Sequence, residues 1–182
     1  MSENQTGRHG PNINDFWPAA DADRGYHWPE LGFRTGVGGD GREYMVVEFD
    51  DDVNYAYGDV LCFKEGADGW LVTNDRDAGS GGPAGVMHQE DLGIARTSGR
   101  ALDGMRGWIQ IKGRHPSVLK EAATALKDAS SNEWYEVHAA NDGAITVDAS
   151  ATPSFRQVVG RLMTDIPANG TRADILLALP WA

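Results

Sequence analysis

The chain has one cysteine, Cys62, among 182 residues, which excludes an internal disulfide and every site built on paired thiolates. Cys62 sits inside Val60-Leu-Cys-Phe63, a setting that suits a small buried hydrophobe better than a reactive thiol. No apolar run approaches the roughly 20 residues that a membrane-spanning helix needs. The first ten residues carry neither a basic nor an apolar leader segment, so a soluble protein made in a reducing cytoplasm, with no membrane partner, is expected. Basic residues are scarce too: 16 Lys and Arg stand against 27 Asp and Glu, a formal net charge of -11. Nucleic-acid binding draws its affinity from phosphate neutralisation by clustered cations. No such cluster exists, and nucleic acid is not an expected partner. The acidity is uneven, since residues 1 to 52 hold 11 Asp and Glu against four Arg and no Lys.

Glycine, in contrast, is plentiful, and GVGGDG at Gly36 to Gly41 matches the G-x-G-x-x-G pattern of dinucleotide-binding domains. That pattern works only where a buried strand enters a glycine turn and a helix starts at once, so that the helix amides hold the pyrophosphate. Here Pro29 to Thr35 is no buried parallel strand, and Arg42 to Phe49 favours a strand through Tyr44, Val46, Val47 and Phe49. The stretch therefore reads as a glycine-rich loop leading into a strand.

Residues 1 to 42 mix Gly, Pro, Asn and Asp with Phe16, Trp17, Tyr26, Trp28 and Phe33 and follow neither the helical nor the strand period. Disordered tails are poor in aromatics. An extended arm is expected that docks its rings either on its own domain or on a neighbour. From Tyr44 onward, short apolar runs alternate with turn signals. Strands are expected at Tyr44 to Phe49, Asp59 to Lys64, Gly69 to Thr73, Leu92 to Ala95, Gly107 to Lys112, Trp134 to His138, Ala144 to Val147, Gln157 to Met163 and Ala173 to Leu179. The turns between them include Asp68-Gly69, Ser80 to Pro83, Asp142-Gly143 and Asn169-Gly170. The fold class this implies is mainly β: an antiparallel barrel or sandwich of short strands with an extended N-terminal arm. One segment pulls the other way. Ser117 to Ser130 places Val118, Leu119, Ala122, Ala125, Leu126 and Ala129 near helical spacing behind Pro116, and by propensity it is a helix.

Two halves of the domain look alike. Leu61 to Asp75 set against Tyr135 to Ala149 superposes Asp68-Gly69 on Asp142-Gly143; Leu92 to Arg96 then corresponds to Val159 to Met163, and Gly107 to Ile111 to the segment from Gly170. A duplication covering about residues 58 to 113 and 132 to 179 is expected, giving a closed barrel from related halves.

Chemistry is sparse. His9, His27, His88, His115 and His138 stand singly, with no H-E-x-x-H, and there is no G-x-S-x-G elbow. Ser80 lies in a glycine-rich turn. Asp50-Asp-Asp52 and Asn74-Asp-Arg-Asp77 lack the spaced ligands of a calcium loop, so no metal and no cofactor is expected. Trp70, Trp108 and Trp134 fall in expected strands, whereas Trp17, Trp28 and Trp181 fall in segments able to reach another subunit.

The succession Gly58-Asp-Val-Leu-Cys-Phe63, Leu92-Gly-Ile-Ala95, Arg106-Gly-Trp-Ile-Gln-Ile-Lys-Gly-Arg-His-Pro116, Val158-Val-Gly-Arg-Leu-Met163 and Asn169 to Leu177 resembles small structural proteins of tailed bacteriophages: capsid decoration or cement proteins and related head or fibre proteins. The resemblance spans about residues 55 to 180. It implies a β-barrel-like domain, residues 43 to 182, made in the host cytoplasm, that binds the outer surface of the capsid as a homo-oligomer, often a trimer. The major capsid protein would be its partner, with no catalytic residue and no cofactor. It also implies extended chain, not a helix, after the Gly-Trp-x-Gln strand. The acidic first third has no counterpart in the resemblance. From its composition, Phe16, Trp17, Tyr26 and Trp28 are the expected partner contacts. A fibre, tail or adhesin module binding receptor or glycan is the alternative, and a polysaccharide-acting β-barrel enzyme the more distant one.

Overall fold

The computed structural model describes residues 13–14, 16–18, 34–37, 41–50, 54–64, 70–75, 82–93, 99–120, 136–140, 143–146, 158–164, 166 and 169–179. Among them are the strands β1 (Phe16–Pro18), β2 (Arg34–Val37), β3 (Arg42–Phe49), β4 (Asn54–Tyr55), β5 (Val60–Phe63), β6 (Leu71–Thr73), β7 (Pro83–Val86), β8 (Arg100–Ala101), β9 (Met105–Leu119), β10 (Glu136–Ala139), β11 (Ile145–Thr146), β12 (Val158–Leu162) and β13 (Arg172–Ala178). The protein is mainly β, as the alternation of apolar runs and turns required. Residues 36 to 49 settle the glycine motif, because Gly36 and Val37 end a strand that pairs with Glu43 and Arg42 of the next one. Among the described residues, Gly41 is followed at once by the strand Arg42–Phe49.

β3, β9, β7, β5 and β6 form a closed ring, β6 returning to β3. The described strand pairings are antiparallel except for β3 with β6, where Glu48 faces Leu71 and Phe49 faces Val72 in parallel register. Met45, Val47 and Phe49 point into the barrel with Leu61, Val72, Ile109 and Ile111. Tyr44 and Val46 point outward, and they are buried too, in a separate cluster with Trp17 and Trp108. Burial on both faces explains why the strands read as unbroken apolar runs, not as a strict alternation. Each such side chain contributes about 1.5–3 kcal/mol by leaving water.

β9 is 15 residues long and outruns the barrel. Its second half begins another run, β9–β13–β12–β10–β11, and Lys120, just beyond β9, bridges Ile145 of β11 in parallel. This corrects the helix expected from Ser117: Ser117, Val118 and Leu119 close the long strand, and residues 121–130 lie outside the described set. Cross-strand pairing to β13 along Lys112 to Leu119 overrides the helical spacing of a few alanines and leucines. The strand expected at Leu92 to Ala95 is corrected over Leu92 and Gly93, while residues 94–95 lie outside the described set. A 3-10 turn covers Glu90–Leu92, and the strand lies earlier, at Pro83–Val86, where the glycines and Pro83 had suggested a turn.

The two runs repeat one wiring. β6–β5–β7–β9 and β11–β10–β12–β13 share strand order, and the registers match position by position. Leu61 faces Gly85 as Val137 faces Gly160, and each pairing is followed by a register shift. Cys62 faces Thr73 as His138 faces Thr146. The close approach repeats: a Cβ on Gly85 would lie 2.7 Å from the Gln110 carbonyl oxygen, and one on Gly160 would lie 2.3 Å from that of Leu176. Only glycine fits at either place. In this correspondence the second half of β9 does for unit two what β3 does for unit one: Met45 pairs with Ile109 as His115 pairs with Ile175. Likewise Phe49 faces Val72 as Lys120 faces Ile145.

Candidate functional site

A cleft of about 590 Å³ opens on the outer side of unit one, where three pieces of chain converge. β3 contributes Arg42 and Tyr44, the segment after β7 contributes His88 and Glu90, and β9 contributes Gln110, His115 and Pro116; Tyr57 and the arm residues Ile13 and Asn14 complete the wall. Alternation along β3 and β9 sets Tyr44 and Gln110 across from each other, facing away from the barrel core.

The two histidines differ in how they are held. His115 Nδ1 accepts the Ser117 backbone N–H at 3.3 Å, so Nε2 carries the proton and donates to the Met87 carbonyl at 3.1 Å. Burial lowers its pKa to about 4, the nearby Arg42 and Arg172 charges push it the same way, and the hydrogen bond to Met87 opposes them. It is neutral, with both nitrogens committed. His88 packs against Tyr44 with ring centroids 4.7 Å apart. Both its nitrogens are sheltered from water with no hydrogen-bond partner; the Ile13 backbone falls short of hydrogen-bond geometry and exerts a weaker upward pull. Desolvation dominates and lowers the His88 pKa to about 3. Tyr57, its ring 5.2 Å from that of His115, has its pKa raised, first by burial and then by Glu90. Its carbonyl accepts from Arg172 at 2.5 Å, and burial lowers the Arg172 pKa.

β1 is fastened to this region by a fitted socket. Gln89 donates from Nε2 to the carbonyls of Trp108 (2.8 Å) and Ile13 (3.2 Å), tying Ile13 to the barrel. β1 pairs antiparallel with β9, Phe16 opposite Gly107. A Cβ on Gly107 would meet the Phe16 ring at 2.6 Å, so the glycine makes room for it. Phe16 stands edge-on to Phe49 at 5.8 Å, with the Arg100 guanidinium 5.7 Å from its ring centroid. Trp17 is 3% exposed, packed over Tyr44, Val46 and Trp108. Of the four expected partner contacts, Phe16 and Trp17 thus pack on their own domain, and Tyr26 and Trp28 lie outside the described residues.

No protein-family model matches the chain, and no curated protein matches it.

Other sequence candidates scatter. His138 is on β10, away from this cleft, and His9 and His27 lie outside the described residues, as do Ser80, Trp134 and Trp181. Asp50 is buried in an ion pair with Lys64 Nζ at 2.7 Å. Asn74 joins a buried network, donating to Asp59 Oδ2 and to the Asn54 carbonyl, both at 2.9 Å. Among the described residues no group of three or more His, Cys, Asp or Glu could hold a metal ion. His115 has both nitrogens hydrogen-bonded, and His88 has both of its nitrogens sheltered in the cleft wall. Tyr44, Tyr57, Gln89 and Gln110 escaped the sequence reading. A glutamine inside the apolar run Trp108-Ile-Gln-Ile111 was the available signal, since a buried amide needs partners. Gln110 finds them in the carbonyls of Lys112 (3.0 Å) and Arg114 (3.2 Å).

Proposed function

We propose that this chain is a virion structural protein that binds the outer surface of a tailed-phage capsid and stabilises or decorates it, with the major capsid protein as partner and a homotrimer as the working form. The observation that carries this reading is where the resembling segments fall. Four of the five fall on strands: Gly58 to Phe63 contains β5, Arg106 to Pro116 lies in the strand shared by both units, Val158 to Met163 is β12 with the residue after it, and the segment to Leu177 runs into β13; the fifth, Leu92 to Ala95, begins where the 3-10 turn Glu90–Leu92 ends. The four are framework, the parts that hold two β units in fixed relation. A protein that bridges subunits of an assembled shell needs such stiffness, together with extended segments to reach its neighbours. Phe16 and Trp17 then hold β1 on the barrel, leaving Tyr26 and Trp28, between β1 and β2 in sequence, as the rings for the shell or an adjacent copy. The net charge of -11 keeps free copies apart until they meet complementary sites.

The test is the copy number of this chain relative to the major shell protein in purified particles, by quantitative mass spectrometry. A ratio equal to the number of shell subunits, or a simple fraction of it, is expected. A handful of copies would move the chain to a fibre or tail, and absence from particles would end the virion reading.

A further inference from the structure

We infer that Ile13, Asn14 and β1 form a strap that acid lifts off the barrel, with the His88 ring as its trigger, while the strands beneath stay paired. The strap is held at few points. β1 is three residues long and pairs with β9 over Met105 to Gly107. Gln89 ties the Ile13 carbonyl, Phe16 stands against Phe49, and Trp17 packs with Tyr44, Val46 and Trp108. Three polar atoms oppose closure. His88 Nδ1, His88 Nε2 and Gln89 Oε1 are sheltered from water with no hydrogen-bond partner, so each has lost hydration that no protein group replaces. His88 lies where the strap crosses: it lines the same cleft as Ile13 and Asn14, and it packs on Tyr44, a member of the cluster that Ile13 and Trp17 join.

A proton on His88 turns that imbalance into a switch. Around the ring stand Arg42 and Tyr44 from β3, His115 from β9, Tyr57 from the turn before β5, Glu90 from its own segment, and the Ile13 backbone from the strap. Burial is the largest influence and lowers the His88 pKa to about 3; the Ile13 backbone pulls it up, and the charges of Arg42 and a protonated His115 push it further down. Glu90 is exposed, where solvent and salt weaken its attraction. Lifting the strap returns water to the ring, and its pKa moves back towards the ordinary value of about 6.5. The open form then binds a proton that the closed form does not. Closure is at its strongest above about pH 6.5, and the opening constant rises by up to about tenfold per pH unit as the pH falls below it. His115 takes no part, since its partners Met87 and Ser117 belong to the barrel and not to the strap. Opening therefore takes up one proton, whereas unfolding takes up one for each histidine. The strap concerns the isolated chain and stands or falls apart from the virion reading.

The experiment is hydrogen exchange of the full chain, followed by mass spectrometry from about pH 7 to about pH 4, with rates corrected for the intrinsic pH dependence of amide exchange. Residues 13–18 should be protected at neutral pH and lose up to about tenfold in protection per pH unit below about 6.5, while β3 and β5 keep theirs. His88→Leu and His88→Gln cannot take up the proton, and each should hold the protection of residues 13–18 constant across the range. Gln89→Met removes the tie to Ile13 and should lower that protection by about fivefold at every pH with the slope unchanged. Protection of β3 and β5 in the same samples shows that each variant folds. Four results overturn the inference: residues 13–18 unprotected at neutral pH, wild-type protection indifferent to acid, an acid slope that survives both His88 changes, or β3 and β5 opening together with the strap.

Discussion

Unit one and unit two share a wiring diagram and differ in what fills it. Where unit one has Met45 and Phe49 against its core, unit two has His115 and Lys120, all four of them buried. Where unit one packs Ile13 and Trp17 over an aromatic outer face, unit two leaves Leu176 and Met163 exposed beside Arg114, which is forked onto Asp174. Register and close backbone approach are therefore common to both, while side-chain chemistry is free to diverge. That is the behaviour expected when strand pairing, once set, constrains each position mainly by size and facing.

The largest effect should come from breaking the shared close approach. Gly160→Ala sets a Cβ against the Leu176 carbonyl and Gly85→Ala one against the Gln110 carbonyl. Each should cost about 3 kcal/mol in urea unfolding, the upper end for overpacking against rigid neighbours. If one is tolerated and the other is not, the correspondence between units fails. Next comes the covered face against the bare one. Trp17→Ala should lose about 3 kcal/mol as a buried aromatic, whereas Leu176→Ala should change monomer stability by less than about 0.5 kcal/mol as a surface substitution. Equal losses would erase the contrast.

The acid response of unit one's cleft is smaller and depends on pH. His88 and His115 have folded pKa values lowered to about 3 and about 4, below the ordinary value of about 6.5. The unfolded chain then binds more protons than the folded one in the window between. Stability is complete above about pH 6.5 and falls as the pH drops towards 4, with a slope approaching about 1.4 kcal/mol per pH unit for each histidine. His115→Met installs the residue that unit one uses at this position. It should cost about 1 kcal/mol near neutral pH through the lost hydrogen bonds and remove one proton's share of the acid slope. His88→Leu should cost little and flatten the slope as well. A slope unchanged in both variants would place the acid sensitivity elsewhere. The smallest effect is expected at Lys112→Ala, whose pair with Glu43 at 2.6 Å is exposed, worth under about 1 kcal/mol and less in salt.

Most strands were legible because β-branched and aromatic runs between glycine turns admit few other structures, and eight of the expected strands overlap observed ones. The misreadings have a common cause. Ser117 to Leu119 looked helical, and Pro83, which opens β7, looked like the end of a turn from Ser80. Both became strands because a neighbour supplied hydrogen-bonding partners that local sequence cannot announce. The Asp-Gly alignment of the two halves caught the likeness of the hairpins but set the first strand two residues off and matched Val159 to Met163 with Leu92 to Arg96, whereas β12 corresponds to β7 at Pro83–Val86. Leu61 was matched to Tyr135, whereas its register partner in unit two is Val137. Loops of unequal length between equivalent strands produce that slip. The cleft was almost invisible. Its histidines were seen as isolated because His88 and His115 lie far apart in sequence, and Tyr44, Tyr57 and Gln110 carry no spacing that marks them as neighbours.

The amino-acid sequence by itself determined that this chain folds as β structure, that its single thiol cannot crosslink it, and that its negative charge concentrates in the first third. Those properties follow from composition and local period, which depend on residues close along the chain. That one long strand serves two units, that Trp17 is buried on its own barrel, and that Leu176 and Met163 are left exposed were decided by the tertiary structure alone. They depend on which edges pair and which faces meet, and such choices are made between segments tens of residues apart.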